Sequence, residues 1–441
     1  MLDFQRRTAV ETPGRASLLL SAVHLYTFVG RASIHFCRTG YPIQYVLLFT
    51  IDLKLFLTLS KKETNFMSLD LSQAFPLNDN IVYLNHAACS PWPRRTAEAV
   101  QGFAQENLTQ GTKNYPQWKL QEIQLREQLQ RLLNAPTVDD IALLKNTSEA
   151  LSVVAYGLTW QAGDNVIITD QEFPSNRIVW ESLQNQGVIV HQAPIANTPD
   201  PEAALLALVN SRTRLISVSS VQYASGLRLD LAKIGAFCHA NQILFCIDVI
   251  QSLGALQLDV QAIHADFVMA DGHKWLLGPE GLAVFYCHPE QREQLQLKQF
   301  GWHMVEQLYD FDAKTWQVAS SARRFECGSP NMLGIHALSA SLSLLAEVGM
   351  ANIQAQVLDN SRYLLDALAQ CADIEILSPL EDNRYAGIVT FRHRKRDSTN
   401  LLGHLSQQGI VCAERGGGIR FSPHFYTPRA QLKWAVEQVA L

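Results

Sequence analysis

The chain has 441 residues, 47% of them hydrophobic and 17% charged, with a formal net charge of −5. That balance belongs to a packed globular protein; it excludes a disordered chain, a fibrous repeat and a multi-span membrane protein, and supplies no basic surface for nucleic acid. The eight cysteines (Cys37, Cys89, Cys238, Cys246, Cys287, Cys327, Cys371 and Cys412) form no C-x-x-C pair and no cluster with histidine, so they read as scattered thiols of a reducing, cytoplasmic setting, with no metal site.

Residues 1–66 stand apart. They carry Arg6, Arg7, Arg15, Arg31, Arg38, Lys54, Lys61 and Lys62 against four acids, with apolar runs at Ala16–Val29 and Tyr45–Leu59. The first run is too short to span a bilayer and the second is broken by Asp52 and Lys54. A targeting segment, an interfacial anchor, or an extension ahead of a start at Met67 would each fit, and the last is the expectation. From about Asp79 the pattern is regular. Amphipathic helices are expected over Pro93–Leu108 and Tyr115–Leu133. Seven short apolar runs follow: Ile141–Leu144, Val166–Thr169, Val188–His191, Leu215–Val221, Leu244–Ile247, Phe267–Ala270 and Leu282–Cys287. Helical patterns separate several of them, at Ser148–Leu158, Asn176–Gln186, Pro201–Asn210 and Leu231–Asn241. Buried strands alternating with helices predict an α/β fold: a seven-stranded, mostly parallel sheet with helices on both faces. After Gly328-Ser329-Pro330 a long helix is expected from Leu333 through Leu368, followed by strands at Ile374–Leu377 and Ala386–Phe391 and a helix at Thr399–Gln408, with Pro428–Leu441 ending the chain. The expected organisation is an N-terminal extension (1–66), a large domain with its N-terminal arm (67–330) and a small α+β domain (331–441). The run Arg392–Arg396 reads as a solvated turn.

Five segments carry candidate chemistry. Lys274, in Asp271-Gly272-His273-Lys274-Trp275-Leu276-Leu277-Gly278-Pro279, follows a strand and sits among apolar neighbours. It is either a loop lysine at the surface or an amine whose lowered pKa lets it attack a carbonyl. Asp248 lies at the carboxyl end of a buried strand, where parallel sheets gather ligands, with Gln251 three residues on. It could cap the next helix or pair with a protonated ring nitrogen. Thr147 and Ser148 stand between a strand and a helix, as a capping box, an anion site, or both. Phe173, after the next strand, would be core or would cover a planar ring. Arg415 and Arg420 flank Gly416-Gly417-Gly418 and form either an ordinary glycine hairpin or a fork for a carboxylate. Neither a Walker pattern nor a G-x-G-x-x-G fingerprint is present, which disfavours a nucleotide or an NAD-dependent oxidoreductase.

Read in order, these segments resemble the class V aminotransferase family, a fold-type I group of enzymes that use pyridoxal 5′-phosphate and that includes cysteine desulfurases, kynureninase and isopenicillin N epimerase-like proteins. The likeness runs from Tyr83-Leu84-Asn85-His86-Ala87-Ala88 to Ser422-Pro423-His424, and the Asp-x-x-Gln plus Gly-His-Lys-Trp-Leu-Leu-Gly-Pro pair is its most specific part. The resemblance implies Lys274 as the Schiff-base lysine and mover of the substrate proton, and Asp248 on the pyridine nitrogen. Gln251 would bond the ring's phenolic oxygen, and Thr147, Ser148 and His273 the phosphate. Phe173 would lie over the ring, and Arg420, with Arg415 and Asn85, would face the substrate carboxylate. Ser329 would reach the phosphate of a partner subunit, which implies a homodimer with no nucleic-acid or membrane partner. Three departures bear on the reaction. No cysteine follows Arg415, where desulfurases carry their nucleophile, and Cys412 lies on the wrong side of it. Asp271 stands where a phosphate-binding hydroxyl is usual and would repel the phosphate unless turned away. Tyr223 replaces an asparagine. Transamination of an amino acid is therefore the first expectation. Desulfuration, another lyase reaction or epimerisation on the same scaffold is the alternative, and a cofactor-free scaffold is the reading from outside enzymology, disfavoured by intact Lys274, Asp248 and Gln251.

Overall fold

The computed structural model of the protein describes residues 70–441 apart from Asn197; everything expected of residues 1–66 lies outside the described residues. All seven expected strands form. After β1 (Val82–Tyr83) come β2 (Ile141–Leu144), β3 (Asn165–Thr169), β4 (Ile189–Ala193), β5 (Thr213–Ser219), β6 (Leu244–Asp248), β7 (Phe267–Asp271) and β8 (Ala283–Cys287). They make one sheet in the order β2-β8-β7-β6-β5-β3-β4. β4, β3, β5, β6 and β7 run parallel, and β8 lies antiparallel to both of its neighbours. Every residue of β2, β3 and β8 is buried, which is why these segments read as continuous apolar runs rather than as alternations. Successive side chains feed opposite faces: Ile167 joins one apolar core while Val166 and Ile168 join the other.

Helices α1 (Arg94–Gln110) and α2 (Tyr115–Leu133) cover one face, packed on α5 (Met332–Val348). On the other, α3 (Thr147–Gly157) follows β2, and α4 (Ser175–Glu181) follows β3. Asn146 caps α3 by accepting the Glu149 amide at 2.8 Å. The single long helix expected from Leu333 onward is corrected: the chain breaks at Gly349 and continues as α6 (Met350–Ala369), bent by 84°. The apolar stripe is continuous in sequence, but a glycine in the positive-φ region ends the first helix and redirects the second. Among the described residues no single helix is long and apolar enough to cross a membrane.

The C-terminal part holds a four-stranded antiparallel sheet, β12-β13-β10-β9, built from β9 (Ile374–Ile376), β10 (Val389–His393), β12 (Ala413–Arg415) and β13 (Gly418–Phe421). β12 and β13 form a hairpin whose turn residues Gly416 and Gly417 both have positive φ (59° and 78°), the two-glycine turn that matches strand twist. The N-terminal arm belongs to this part by contact: β1 pairs in parallel with β11 (Ile410–Val411), and Val82 and Leu84 share a core with Leu364, Phe391 and Phe421. A long-range pairing of two residues per strand leaves no periodic trace in a sequence.

Candidate active site

The carboxyl ends of β6 and β7, the start of α3 and the β12–β13 hairpin converge on Lys274. The lysine is 9% exposed, on the loop after β7. Burial pulls its amine well below the ordinary lysine pKa, against the opposing pull of Asp248 and with help from Arg420. A lysine so placed reaches its neutral, nucleophilic form at lower pH.

Asp248 is the last residue of β6, fully inside the protein, with Oδ1 accepting the Ile250 amide at 2.9 Å. Burial pushes its carboxyl up; the Ile250 amide and Lys274 pull the other way. Gln251 is held at both ends of its amide: Oε1 accepts from Trp275 Nε1 at 3.0 Å, and Nε2 donates to the Ala87 carbonyl at 3.0 Å. Trp275, quoted in the lysine motif without a role, thus decides which way the Gln251 amide points. Its position directly after the lysine was the available signal.

Phe173 is 41% exposed, meets Tyr223 edge-on at 5.2 Å and lies with its ring centroid 5.6 Å from Lys274 Nζ. An exposed aromatic over the lysine is not core. Glu172, beside it, was missed by sequence reading. Its buried carboxylate accepts from Thr169 Oγ1, Asn176 Nδ2, the Ser219 amide and Gln222 Nε2 at 2.9–3.2 Å, pinning the start of α4 to β3 and β5.

At the head of α3, Thr147 is buried and Ser148 is exposed, its hydroxyl donating to Ser175 Oγ at 2.8 Å. Thr147 Oγ1 and His273 Nδ1 are buried with no hydrogen-bond partner among the described residues. Burial and Lys274 draw the His273 imidazole down to about 4. Asp271 turns into this corner: Oδ1 accepts the Thr147 amide at 3.0 Å and Oδ2 stands 3.6 Å from His273 Nδ1.

The two arginines of the hairpin part company. Arg415 is exposed and bonded to the neighbouring carbonyl of Glu414, the ordinary surface arginine that the bland reading allowed. Arg420 is 2% exposed. Its Nη1 donates to the Tyr223 carbonyl at 2.8 Å, its Nη2 stands 3.5 Å from Asn85 Oδ1, and its Nε has no partner among the described residues. Burial and Arg415 lower it to about 10. Asn85 is brought there by a bridge to Ser422 at the end of β13. A cavity of about 380 Å³ is lined by Asp170, Glu172, Tyr223, Thr390 and Gly416 among others, and the Tyr223 carbonyl is the one Arg420 bonds. Ser329 is not part of the convergence; it stands exposed three residues after Glu326, which Arg126 of α2 clamps with bonds of 2.6 and 2.7 Å.

A buried lysine with a lowered pKa, a buried acid and, among the described residues, unpartnered donors at a helix N-terminus suit a phosphate-bearing aldehyde cofactor. A family model described as "Aminotransferase class-V" matches residues 82–429, and the chain belongs to that family. A probable cysteine desulfurase of Methanothermobacter thermautotrophicus is 28% identical over 82% of this chain and 95% of its own length. A cysteine desulfurase of Pectobacterium carotovorum is 32% identical over 65% and 70%. A solved complex of a cystine C–S lyase with its reaction product, cysteine persulfide, is 25% identical, covers 83% of this chain and 99% of that one, and superposes with a TM-score of 0.77. The cofactor is pyridoxal 5′-phosphate, and the residues fit it: the unpartnered Thr147 hydroxyl and His273 nitrogen offer bonds to a phosphate, Asp248 offers a carboxylate to a ring nitrogen, and Lys274 offers an amine to an aldehyde.

Proposed function

We propose that the protein cleaves the carbon–sulfur bond of a sulfur-containing amino acid, with cystine and cysteine the leading candidates, by β-elimination and without lodging sulfur on its own chain. The observation that carries this reading is the β12–β13 turn. Relatives with desulfurase and C–S lyase names share the scaffold. Yet Arg415 is followed by Gly416-Gly417-Gly418, with no thiol in the turn. Cys412 lies before it, and burial pushes its thiol up to about 12. Cys89, on the arm, has its thiol pushed up by partial burial of its sulfur and by Glu280, against Lys274. Sulfur chemistry without an internal acceptor is elimination. Transamination, the first expectation from sequence, has an uncharacterized aminotransferase of Bacillus subtilis on its side (27% identical over 83% of this chain), against the several relatives named desulfurases.

When bound, pyridoxal phosphate supplies the electron sink that acidifies the substrate's Cα–H. The chain's residues do the rest. Arg420, with Asn85 at its side, takes the α-carboxylate through the donors left open on its guanidinium. That fixes the Cα–H toward Lys274, whose neutral amine accepts the proton. The departing sulfur leaves into the cavity beside Tyr223 and Gly416. In this reading the enzyme is a cytoplasmic homodimer, suited to free thiols, and exposed Ser329 is the group offered to a second copy's phosphate.

Product identity tests the reading. Incubation with cystine or cysteine is expected to give pyruvate and ammonia with a persulfide or sulfide, and Cys89→Ser is expected to turn over within about two-fold of the parent. Alanine as the main product, with persulfide trapped on the chain and lost in a cysteine variant, would mean desulfuration. Stoichiometric transfer of nitrogen to a keto acid would restore transamination.

A further inference from the structure

Asp271 is the group of the cradle whose charge opposes its surroundings. It ends β7, and its carboxylate accepts the Thr147 amide at 3.0 Å, the first amide of the α3 N-terminus. An anion settling there would use three donors: that amide, Thr147 Oγ1 and His273 Nδ1. Asp271 occupies the first, and the other two are left without partners among the described residues. The carboxylate is 13% exposed, so little water screens it from a second anion. Groups face it from every packed element: Thr147 from α3, His273, Lys274 and Glu280 from its own loop, and Asp248 from β6. Burial outweighs the Thr147 amide and Lys274, and raises the Asp271 carboxyl to about 6.

We propose that Asp271 is a proton-coupled gate on the phosphate subsite: a tetrahedral dianion takes over the Thr147 amide as Asp271 takes up one proton from solvent and withdraws its charge. Folded carboxyls raised in this way are charged at neutral pH and release the subsite as pH falls, so anion affinity falls as pH rises above about 6. This rests on the cofactor assignment and not on the reaction, because neither probe below is turned over.

The test uses apoprotein and two ligands: sulfate, which does not titrate between pH 5 and 9, and pyridoxal 5′-phosphate. Calorimetry in two buffers of different ionisation enthalpy counts the protons taken up with each. At pH 8 the parent should take up nearly one proton more than Asp271→Asn, and the variant should bind sulfate at least ten-fold more tightly, the two converging near pH 5.5. Lys274 feels the Asp271 charge and engages pyridoxal 5′-phosphate, so the sulfate arm, read below the range in which Lys274 titrates as well as at pH 8, decides the difference. Equal affinities and equal proton counts at pH 8 would overturn the gate. So would weaker binding by the variant, since that is the mark of a carboxylate that merely orients His273. If Asp271→Asn does not fold, the parent alone decides: a sulfate affinity that stays flat from pH 6 to pH 8 overturns the proposal.

Discussion

The carboxyl edge of the seven-stranded sheet and the β12–β13 hairpin both deliver ionisable side chains to Lys274, but they hold them differently. On the sheet edge the hydrogen-bonding capacity is largely filled from within. Glu172 has five donors, from β3, α4, β5 and the loop after β5; Asp248 has the Ile250 amide, and Gln251 is clamped by Trp275 and Ala87. On the hairpin, Arg420 is as deeply buried and donates to the Tyr223 carbonyl, yet among the described residues its Nε has no partner and its Nη2 has only a long contact to Asn85. Leaving a buried charged donor open costs free energy unless a ligand fills it. The edge is built to keep one geometry for a resident group. The hairpin leaves one buried donor open, and the proposed function gives that donor a substrate carboxylate.

Breaking each side should therefore give different signatures. Lys274→Ala, on the edge, should lower turnover by at least about 10³-fold, and mass spectrometry after borohydride treatment should find no pyridoxyl group on the chain. A pyridoxyl adduct surviving in that variant would mean another lysine does the work. Arg420→Lys should leave the bound cofactor's absorbance unchanged and cut kcat/KM by about 10–100-fold, because a point charge does not replace the fork; steady-state kinetics with cystine would show it. Loss of cofactor from this variant would erase the division between the two regions. Gly387→Ala probes the sheet edge from the segment just before β10: a Cβ there would come within 2.2 Å of the Trp275 ring. The variant should lose about 1–3 kcal/mol of stability in chemical denaturation, and a shift in the cofactor spectrum would report the Gln251 amide losing its clamp. The smallest effect belongs to Phe173→Ala, which should weaken pyridoxal phosphate about 3–10-fold in equilibrium titration, with the substrate KM little altered.

Much of this was legible before any coordinates. The seven strands were readable because burial on both faces removes polar residues from them, and the place of Lys274, Asp248 and Gln251 at the sheet edge because each follows or ends a strand. What failed to show is long-range or angular. The break at Gly349 hides inside an unbroken apolar stripe, and the β1–β11 pairing joins two residues on each side across more than three hundred positions. The two arginines five residues apart looked alike, and only the hairpin register sends Arg420 inward while Arg415 stays in water.

The sequence by itself determined the layered fold, the lysine and the acid, because hydrophobic period and local motif carry those directly. Tertiary structure alone decided the state of Asp271. Nothing local says whether that carboxylate points to solvent or to the Thr147 amide; packing β7 against the head of α3 settles it, and burial there sets its charge.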